Sequence, residues 1–123
     1  MSHLEYALRC CREIPYIKGY QRVYAVVTDR KGRIVAESPN FYTKTHPLQK
    51  RYSLMCDRSE HRAFLHAELR TLILARGKGE KLTVARIGAS GRALDAYPCP
   101  SCRLAIKEAG HIKEICCSLE IDS

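Results

Sequence analysis

Apolar residues recur at helical spacing, and then in a continuous run, over the first part of the chain. Ser2 and Glu5 have the spacing of a capping box, and the apolar side chains that follow recur at intervals of three and four residues. This pattern predicts a first helix. Residues 23–27 form an unbroken apolar run with β-branched side chains, which predicts a buried strand. A polar turn at 29–32 leads to the expected hairpin partner at 33–37.

The second half of the chain alternates between helical and strand patterns. Helical spacing over residues 65–76 stops at Gly77, as expected at the C-terminus of a helix. Residues 82–87 predict a third strand, and residues 102–109 predict a third helix. Alternating apolar and polar side chains over 114–121 predict a half-exposed final strand.

This order of elements, α-β-β-α-β-α-β, predicts an α/β protein built as a three-layer α/β/α sandwich. The mixed sheet is expected to have about four strands. A helix joins the last two strands, so we expect them to lie parallel with a right-handed crossover. No internal repeat or linker divides the 123 residues, which predicts a single domain over 1–123.

Composition and charge narrow the classes of function. The chain is 46% hydrophobic, which argues against disorder. It has no apolar run of about 18 residues and no signal-peptide layout, so we expect no membrane segment and a cytoplasmic location. Seven cysteines, an odd count without a secretion signal, argue against a disulfide framework. The net charge of +8 suits a polyanionic partner such as nucleic acid, or a phosphorylated small substrate.

Two short motifs carry the candidate chemistry: His66-Ala67-Glu68 and, further along the chain, Pro98-Cys99-Pro100-Ser101-Cys102. One histidine and two cysteines can fill three corners of a zinc tetrahedron and leave the fourth open for water, as a catalytic zinc requires. Glu68 is not needed as a ligand, so it is free to transfer protons.

Helical geometry explains the spacing within each motif. Cys99 and Cys102 are three positions apart, so on the first turn of a helix they face the same way. The N-terminus of a helix also favours the thiolate, the form that binds metal. Glu68 lies about 200° around a helix from the histidine, so it approaches the site from another direction. The alternative interpretation is a structural zinc with Cys56 or His61 as its fourth ligand.

With these motifs the chain resembles the cytidine deaminase superfamily. The likeness extends beyond the metal motif, since Thr71, Leu72 and Ile106 fit further positions of the family pattern, and the order of helices and strands also agrees. The resemblance implies the cytidine deaminase type of sandwich. Family members usually carry one more strand after the fourth, and we expect this chain to lack that fifth strand. The fourth strand would then lie at an edge of the sheet.

The resemblance also implies roles for the motif residues. His66, Cys99 and Cys102 would bind one catalytic Zn²⁺ ion, and Glu68 would be the proton shuttle. Zinc lowers the pKa of a bound water, and the hydrolysis would convert cytosine to uracil with release of ammonia.

The resemblance further suggests four contacts to the substrate. An asparagine after the second hairpin strand contacts the nucleoside in similar enzymes, and Asn40 is at the matching place; its other interpretation is a turn residue. The backbone carbonyl of Ala67 is expected to hold the exocyclic amine. Tyr97 would either stack on the base or lie in the core. His46 belongs to a stretch, 44–47, that looks like small deaminase-like proteins of bacteriophages.

A segment without clear periodicity, residues 38–59, combines cations with aromatic side chains. Its cations could follow phosphates and its aromatic rings could stack on unpaired bases. The residues that we predict to bind nucleic acid are Lys44, Lys50, Arg51, Tyr42 and Tyr52. The alternative is a solvated loop whose aromatic side chains cover the core.

Four hypotheses about function follow from the sequence. The first is deamination of cytosine in DNA, with single strands preferred because a stacked base cannot reach the zinc. The second is deamination of free deoxycytidine monophosphate or a nucleoside. Deamination of adenosine in nucleic acid and a zinc-containing nucleic-acid-binding module without catalysis are the two others. The oligomeric state does not follow from the sequence.

Overall fold

The structure is a computed structural model that describes residues 2–18, 21–40, 47–48, 51–52 and 66–119. Its helices are α1 (His3–Glu13), α2 (Ala67–Ala75) and α3 (Pro100–Ala109). Its strands are β1 (Arg22–Thr28), β2 (Ile34–Pro39), β3 (Lys81–Ile87), β4 (Ala93–Leu94) and β5 (Glu114–Cys117). The described residues 47–48 and 51–52 are also helical. Within these ranges, no helix has both the length and the apolar character that crossing a bilayer demands.

The strands form one mixed sheet in which β1 and β3 are central. β1 pairs antiparallel with β2 on one side and with β3 on the other. β3 pairs antiparallel with β4 and parallel with β5. The predicted hairpin and the predicted parallel pairing of the strands around the last helix are confirmed. The two-residue strand β4 was not predicted, because two residues carry no periodicity.

One face of the sheet is covered by α1. The side chain of Ser2 accepts a hydrogen bond from the Glu5 N–H at 3.1 Å, which confirms the N-terminal cap of this helix. On the side of α1 that faces the sheet, small side chains pack against the apolar surface formed by Val26, Ala85 and Ile87. Burial raises the pKa of Cys11 to about 12, so this cysteine packs as a small neutral thiol.

The other face of the sheet is covered by α2 and α3, so the molecule has the predicted three layers. Val27, Leu82 and Val84 point to this side and contact apolar side chains of both helices. The buried helical residues in this cluster are Leu69, Leu72, Ala75, Ala105 and Ile106. Because both helices lie on the same face, their N-termini can approach one another.

The last strand is shorter than predicted, and Ser118 shows why. β5 stops at Cys117, whereas alternation predicted a strand to residue 121. Beyond that point, β4 occupies the edge of β3 that β5 would need. The buried Ser118 hydroxyl accepts from the Arg86 N–H at 3.1 Å and donates to the Leu94 carbonyl at 2.6 Å, which links the two strands. Within the described residues, which end at 119, no strand follows β5.

Gly79 lies in the connection between α2 and β3, where the chain passes very close to β1. Its φ of +92° is in the left-handed region, and a Cβ at this position would overlap Cγ1 of the fully buried Val27. Gly77 has a similar φ of +81°, but a Cβ there would meet no atom within 4 Å. A substitution at either glycine would strain the backbone, but only one at Gly79 would also cause steric overlap, so comparing the two positions separates these effects.

We expect Gly79→Ala to lower the free energy of unfolding by about 2–4 kcal/mol, since it adds overpacking to backbone strain. Gly77→Ala, the matched control, carries only the strain and should cost about 1 kcal/mol. Urea denaturation followed by circular dichroism measures both. Equal losses in the two variants would show that the close approach of Gly79 to Val27 has no energetic consequence.

Candidate active site

The N-termini of α2 and α3 meet above the sheet and carry the two predicted motifs. His66 is the N-cap residue of α2, and Cys99 is the N-cap residue of α3. Both have extended backbone conformations, with Pro100 at the start of α3. Proline is well suited to a first-turn position, whose N–H has no partner within the helix. Each motif therefore places a potential ligand at the very start of a helix.

The predicted ligand atoms converge. His66 Nδ1 lies 3.3 Å from Cys102 Sγ and 3.6 Å from Cys99 Sγ, and the three ligand atoms lie within 4.8 Å of one another. In a tetrahedral zinc site with ordinary bond lengths, a nitrogen and a sulfur ligand are about 3.6 Å apart. The chemistry and the spacing of these donors therefore fit zinc, with His66, Cys99 and Cys102 as the residues that would hold it.

Electrostatics at the two helix N-termini favours a thiolate. A hydrogen bond from Cys102 lowers the pKa of Cys99 to about 3, although burial opposes the shift. His66 and the Ser101 hydroxyl, 3.1 Å from the Cys99 sulfur, support the same charge. The pKa of Cys102 is raised, first by its hydrogen bond to Cys99 and then by burial. The lowered pKa of Cys99 favours its thiolate, which is the form that binds metal.

Glu68 lies beside these donors in the first turn of α2. Its side chain is buried, with 7% of its surface exposed. Burial raises the pKa of Glu68, while the neighbouring His66 opposes this shift. Among the described residues, the group of potential metal ligands contains the histidine and the two cysteines and does not include Glu68. Its carboxyl is therefore placed for a role other than ligation.

A cavity of about 420 Å³ opens onto this group. It is bounded by the start of β1, the end of β2, the N-terminus of α2, the end of β3 and the segment before α3. Besides Cys99, the lining includes five residues that were singled out from the sequence for this site: Asn40, His66, Ala67, Glu68 and Tyr97. The cavity is large enough to hold a nucleoside-sized ligand.

Asn40 is held by β1 through both ends of its side-chain amide. Its Oδ1 accepts from the Val23 N–H at 3.2 Å, and its Nδ2 donates to the Gln21 carbonyl at 3.1 Å. The amide has one further N–H and further acceptor capacity, and the residue lines the cavity. Its local bonds support the structural interpretation, and its contact to a substrate stays a prediction.

The carbonyl of Ala67 already has a hydrogen-bond donor. The buried Thr71 hydroxyl donates to it at 2.7 Å. A carbonyl oxygen has two lone pairs, so the Thr71 hydroxyl would compete with an exocyclic amine for this acceptor. The predicted contact between Ala67 and the substrate also stays a prediction.

Tyr97 lies at the mouth of the cavity and is 57% exposed, which excludes the interpretation that its ring is in the core. The guanidinium of Arg103 lies 5.6 Å from the centre of its ring. This cation–π contact holds the ring from one side and leaves exposed aromatic surface beside the cavity.

Tyr52 requires a correction, because we predicted that its ring would stack on a base. The ring is 8% exposed and belongs to the core cluster under α2 and α3, and its hydroxyl donates to Glu108 at 2.6 Å. The ring is buried because removing its apolar surface from water is favourable. This agrees with the alternative interpretation, in which aromatic side chains of this segment cover the core. Arg51 is exposed, with its guanidinium 5.9 Å from the Tyr52 ring centre. Other predicted residues lie outside the described ranges: Tyr42, Lys44, His46, Lys50, Cys56 and His61.

Three polar residues of the cavity wall were not predicted: Gln21, Arg86 and Asp95. Arg86 pairs with Val23 across β1 and β3, and its Nη1 donates to the Asp95 carbonyl at 3.2 Å. They come from strand ends and from the segment before Pro98. Arg86 reaches the cavity through the pairing of β3 with β1, and Gln21 and Asp95 lie just outside strands, so no local sequence pattern marks them.

Together, the three-layer sandwich and the histidine–cysteine group define the fold class of the cytidine deaminases. Two crystal structures, of cytidine deaminase from Mycobacterium tuberculosis and of a mutant of that protein, are similar to this chain with TM-scores of 0.52. Sequence identity is 18% to the former and 20% to the mutant, and each alignment covers 94% of this chain and 85% of the other. Neither a protein-family profile nor the sequence of a curated protein matches significantly. The likeness shows a fold of the cytidine deaminase type.

We expect the purified protein to hold about one zinc ion per chain, and Cys99→Ser to lose it, because a neutral hydroxyl is a poor replacement for a thiolate ligand. Cys116→Ser is the matched control, since this half-buried cysteine on β5 lies outside the ligand group. Elemental analysis after gel filtration measures the metal. Full zinc occupancy in Cys99→Ser would contradict the assignment.

Proposed function

We propose that this protein is a zinc-dependent enzyme that hydrolyses cytosine to uracil and ammonia. The observation that carries the proposal is the arrangement of His66, Cys99 and Cys102 within 4.8 Å, beside a buried Glu68, at the wall of a cavity of about 420 Å³. The cavity supports a catalytic site over a structural zinc, because a structural ion has no need of access to a ligand.

The residues of this chain would have distinct parts in the reaction. When bound, zinc would lower the pKa of water at the site from about 15.7 to about 7. Glu68 would accept a proton from the water that attacks C4 of the ring and deliver a proton to N3. The new C4–O bond replaces the C4–N bond, and the amine leaves as ammonia after a further proton transfer. The burial of Glu68 limits the contact of its carboxyl with bulk water.

For the substrate we propose cytosine in DNA, with single strands preferred. The net charge of +8 favours a polyanion, and the exposed ring of Tyr97 with Arg103 behind it offers a stacking surface at the mouth of the cavity. A base inside a duplex cannot reach a buried carboxyl without leaving its stack, which favours unpaired strands.

A free deoxycytidine nucleotide or nucleoside is the second candidate. It is favoured by the fold likeness to proteins named cytidine deaminase and by the fixed side chain of Asn40 in the cavity wall. The two candidates share the same chemistry at Glu68 and differ only in what lies beyond the cavity mouth.

Glu68→Gln is expected to lower kcat by about 10²–10⁴-fold while the zinc content stays near one per chain, since the amide keeps the shape and loses the proton transfer. Thermal unfolding would show whether the buried site tolerates the isosteric change. Release of ammonia and the zinc content are measured on the same preparation. Turnover near the wild-type rate would remove Glu68 from the proposed reaction.

A substrate competition tests the choice between the two candidates. Zinc-loaded protein is incubated with single-stranded DNA, duplex DNA, RNA and free deoxycytidine monophosphate at equal cytosine concentration. Conversion to uracil is followed by mass spectrometry, with Glu68→Gln as the control. Faster conversion in single-stranded DNA supports the first candidate, and faster conversion of the free nucleotide supports the second. An adenosine substrate at the same concentration tests whether the protein deaminates adenine.

The segment around residue 50 gives a salt-dependence test of DNA binding. If Lys44, Lys50 and Arg51 each contact a phosphate, changing all three to Ala should reduce the salt slope of log K by roughly 2 for single-stranded DNA. A control triple variant carries Ala at the exposed Arg9, Lys78 and Lys107, which do not line the cavity. Fluorescence anisotropy between 50 and 200 mM salt, roughly the range over which such contacts weaken, measures both. An equal slope in the two variants would place the DNA elsewhere.

A further inference from the structure

Arg86 lies between the active-site cavity and a second cavity, and Arg22 lines only the second one. Arg86, at the end of β3, lines both cavities, and so does Gln21. The second cavity has a volume of about 220 Å³ and is also lined by Arg22, which is only 8% exposed. Arg22 and Arg86 lie on neighbouring antiparallel strands, where their sheet partners are Ile87 and Val23. Ile87 packs on the α1 side of the sheet and Val23 on the side of α2 and α3, so the two arginine side chains leave the sheet on opposite faces.

The hydrogen bonds of both guanidinium groups go to neutral carbonyls. Arg86 Nη1 donates to the Asp95 carbonyl at 3.2 Å. Arg22 Nη1 donates to the Ile14 carbonyl at 3.3 Å, and its Nη2 donates to the Gly88 carbonyl at 2.7 Å. The Nε atoms of both arginines are buried and have no acceptor. Across the described part of the chain, neither arginine forms an ion pair with a carboxylate.

Arg86 therefore carries a positive charge at the active-site cavity without forming an ion pair with another described residue. Removing a guanidinium from water is costly unless an anion or a full set of acceptors replaces the water. Asp95 also lines the active-site cavity, but its Oδ1 accepts from the Tyr97 N–H at 3.0 Å, and its link to Arg86 is through the backbone. The Asp95 carboxylate therefore does not form an ion pair with the Arg86 guanidinium.

We propose that Arg86 binds a phosphate group of the substrate. A guanidinium matches the geometry of phosphate oxygens, and its free N–H donors would gain acceptors that a neutral nucleoside lacks. This inference rests on the proposed function and narrows it. The substrate class is a deoxycytidine nucleotide, either a free monophosphate or a residue of a DNA strand, and neither an unphosphorylated nucleoside nor the free base.

The test compares substrates with and without a phosphate. The wild-type protein and Arg86→Gln are assayed with deoxycytidine, deoxycytidine monophosphate and a single-stranded oligonucleotide that contains one cytosine. We expect Arg86→Gln to lower kcat/KM for the phosphorylated substrates, relative to deoxycytidine, by about 10- to 100-fold, chiefly through KM. Arg86→Lys, which keeps the charge, should restore part of this preference. A loss confined to the monophosphate or to the oligonucleotide identifies the source of the phosphate.

Arg9→Gln is the matched control, because it removes the same charge from an exposed position on α1. It should leave the ratio between substrates unchanged. If Arg86→Gln lowers all three activities equally, or lowers none, Arg86 does not select a phosphate and the inference is wrong. Thermal unfolding of each variant identifies a loss that comes from misfolding, and Arg86→Lys then provides the decisive comparison.

A binding measurement separates this inference from the proposed function. Isothermal titration calorimetry with Glu68→Gln, in which turnover is suppressed, gives the affinities for deoxycytidine monophosphate and deoxycytidine. The phosphate site is supported if Glu68→Gln binds the monophosphate more tightly than deoxycytidine and the double variant with Arg86→Gln does not. This holds even if no substrate is deaminated. Equal affinities in a protein whose wild type deaminates cytosine would overturn the phosphate site and leave the proposed function intact.

Discussion

The site depends on one packing constraint, which is that α2 and α3 lie side by side on the same face of the sheet. Leu69 and Leu72 of α2 and Ile106 of α3 share one apolar cluster with β1 and β3. This packing makes both helices begin at the same place, where His66 and Cys99 are the N-cap residues. The positive ends of two helix dipoles then face the same thiolate, which favours the anionic form that a metal requires.

The edge of β3 provides a second constraint, because it is shared between two strands. β5 pairs with Lys81 to Val84, and β4 pairs with Arg86 and Ile87. Ser118 lies where the pairing partner of β3 changes from β5 to β4, and its carbonyl accepts from the Ala96 N–H at 2.9 Å. The segment that leads into the cysteine motif is therefore fixed to the sheet three residues before Cys99.

Local patterns predicted the helices, the hairpin and the ligand group, because helical spacing, turn residues and ligand types are properties of neighbouring residues. They could not place Tyr52, since an aromatic side chain among cations fits both a nucleic-acid surface and a core edge. Arg86 was missed for a related reason: on a strand it resembles any solvated cation, and only the pairing with Val23 brings it to the cavity. The end of β5 likewise depends on β4, which has no signal of its own.

Asp95 connects Arg86, in the wall of the cavity, to the metal motif. Its carbonyl accepts from Arg86, and its carboxylate accepts from the backbone of Tyr97, so residues 95–97 form a short connection between the arginine and Pro98 that these hydrogen bonds hold in place. Cys99 follows directly and begins α3. A phosphate held at Arg86 would therefore lie at a distance from the zinc ligands that this connection and the sheet fix together. A free base has no phosphate that could contact Arg86, so the proposed contact favours a nucleotide.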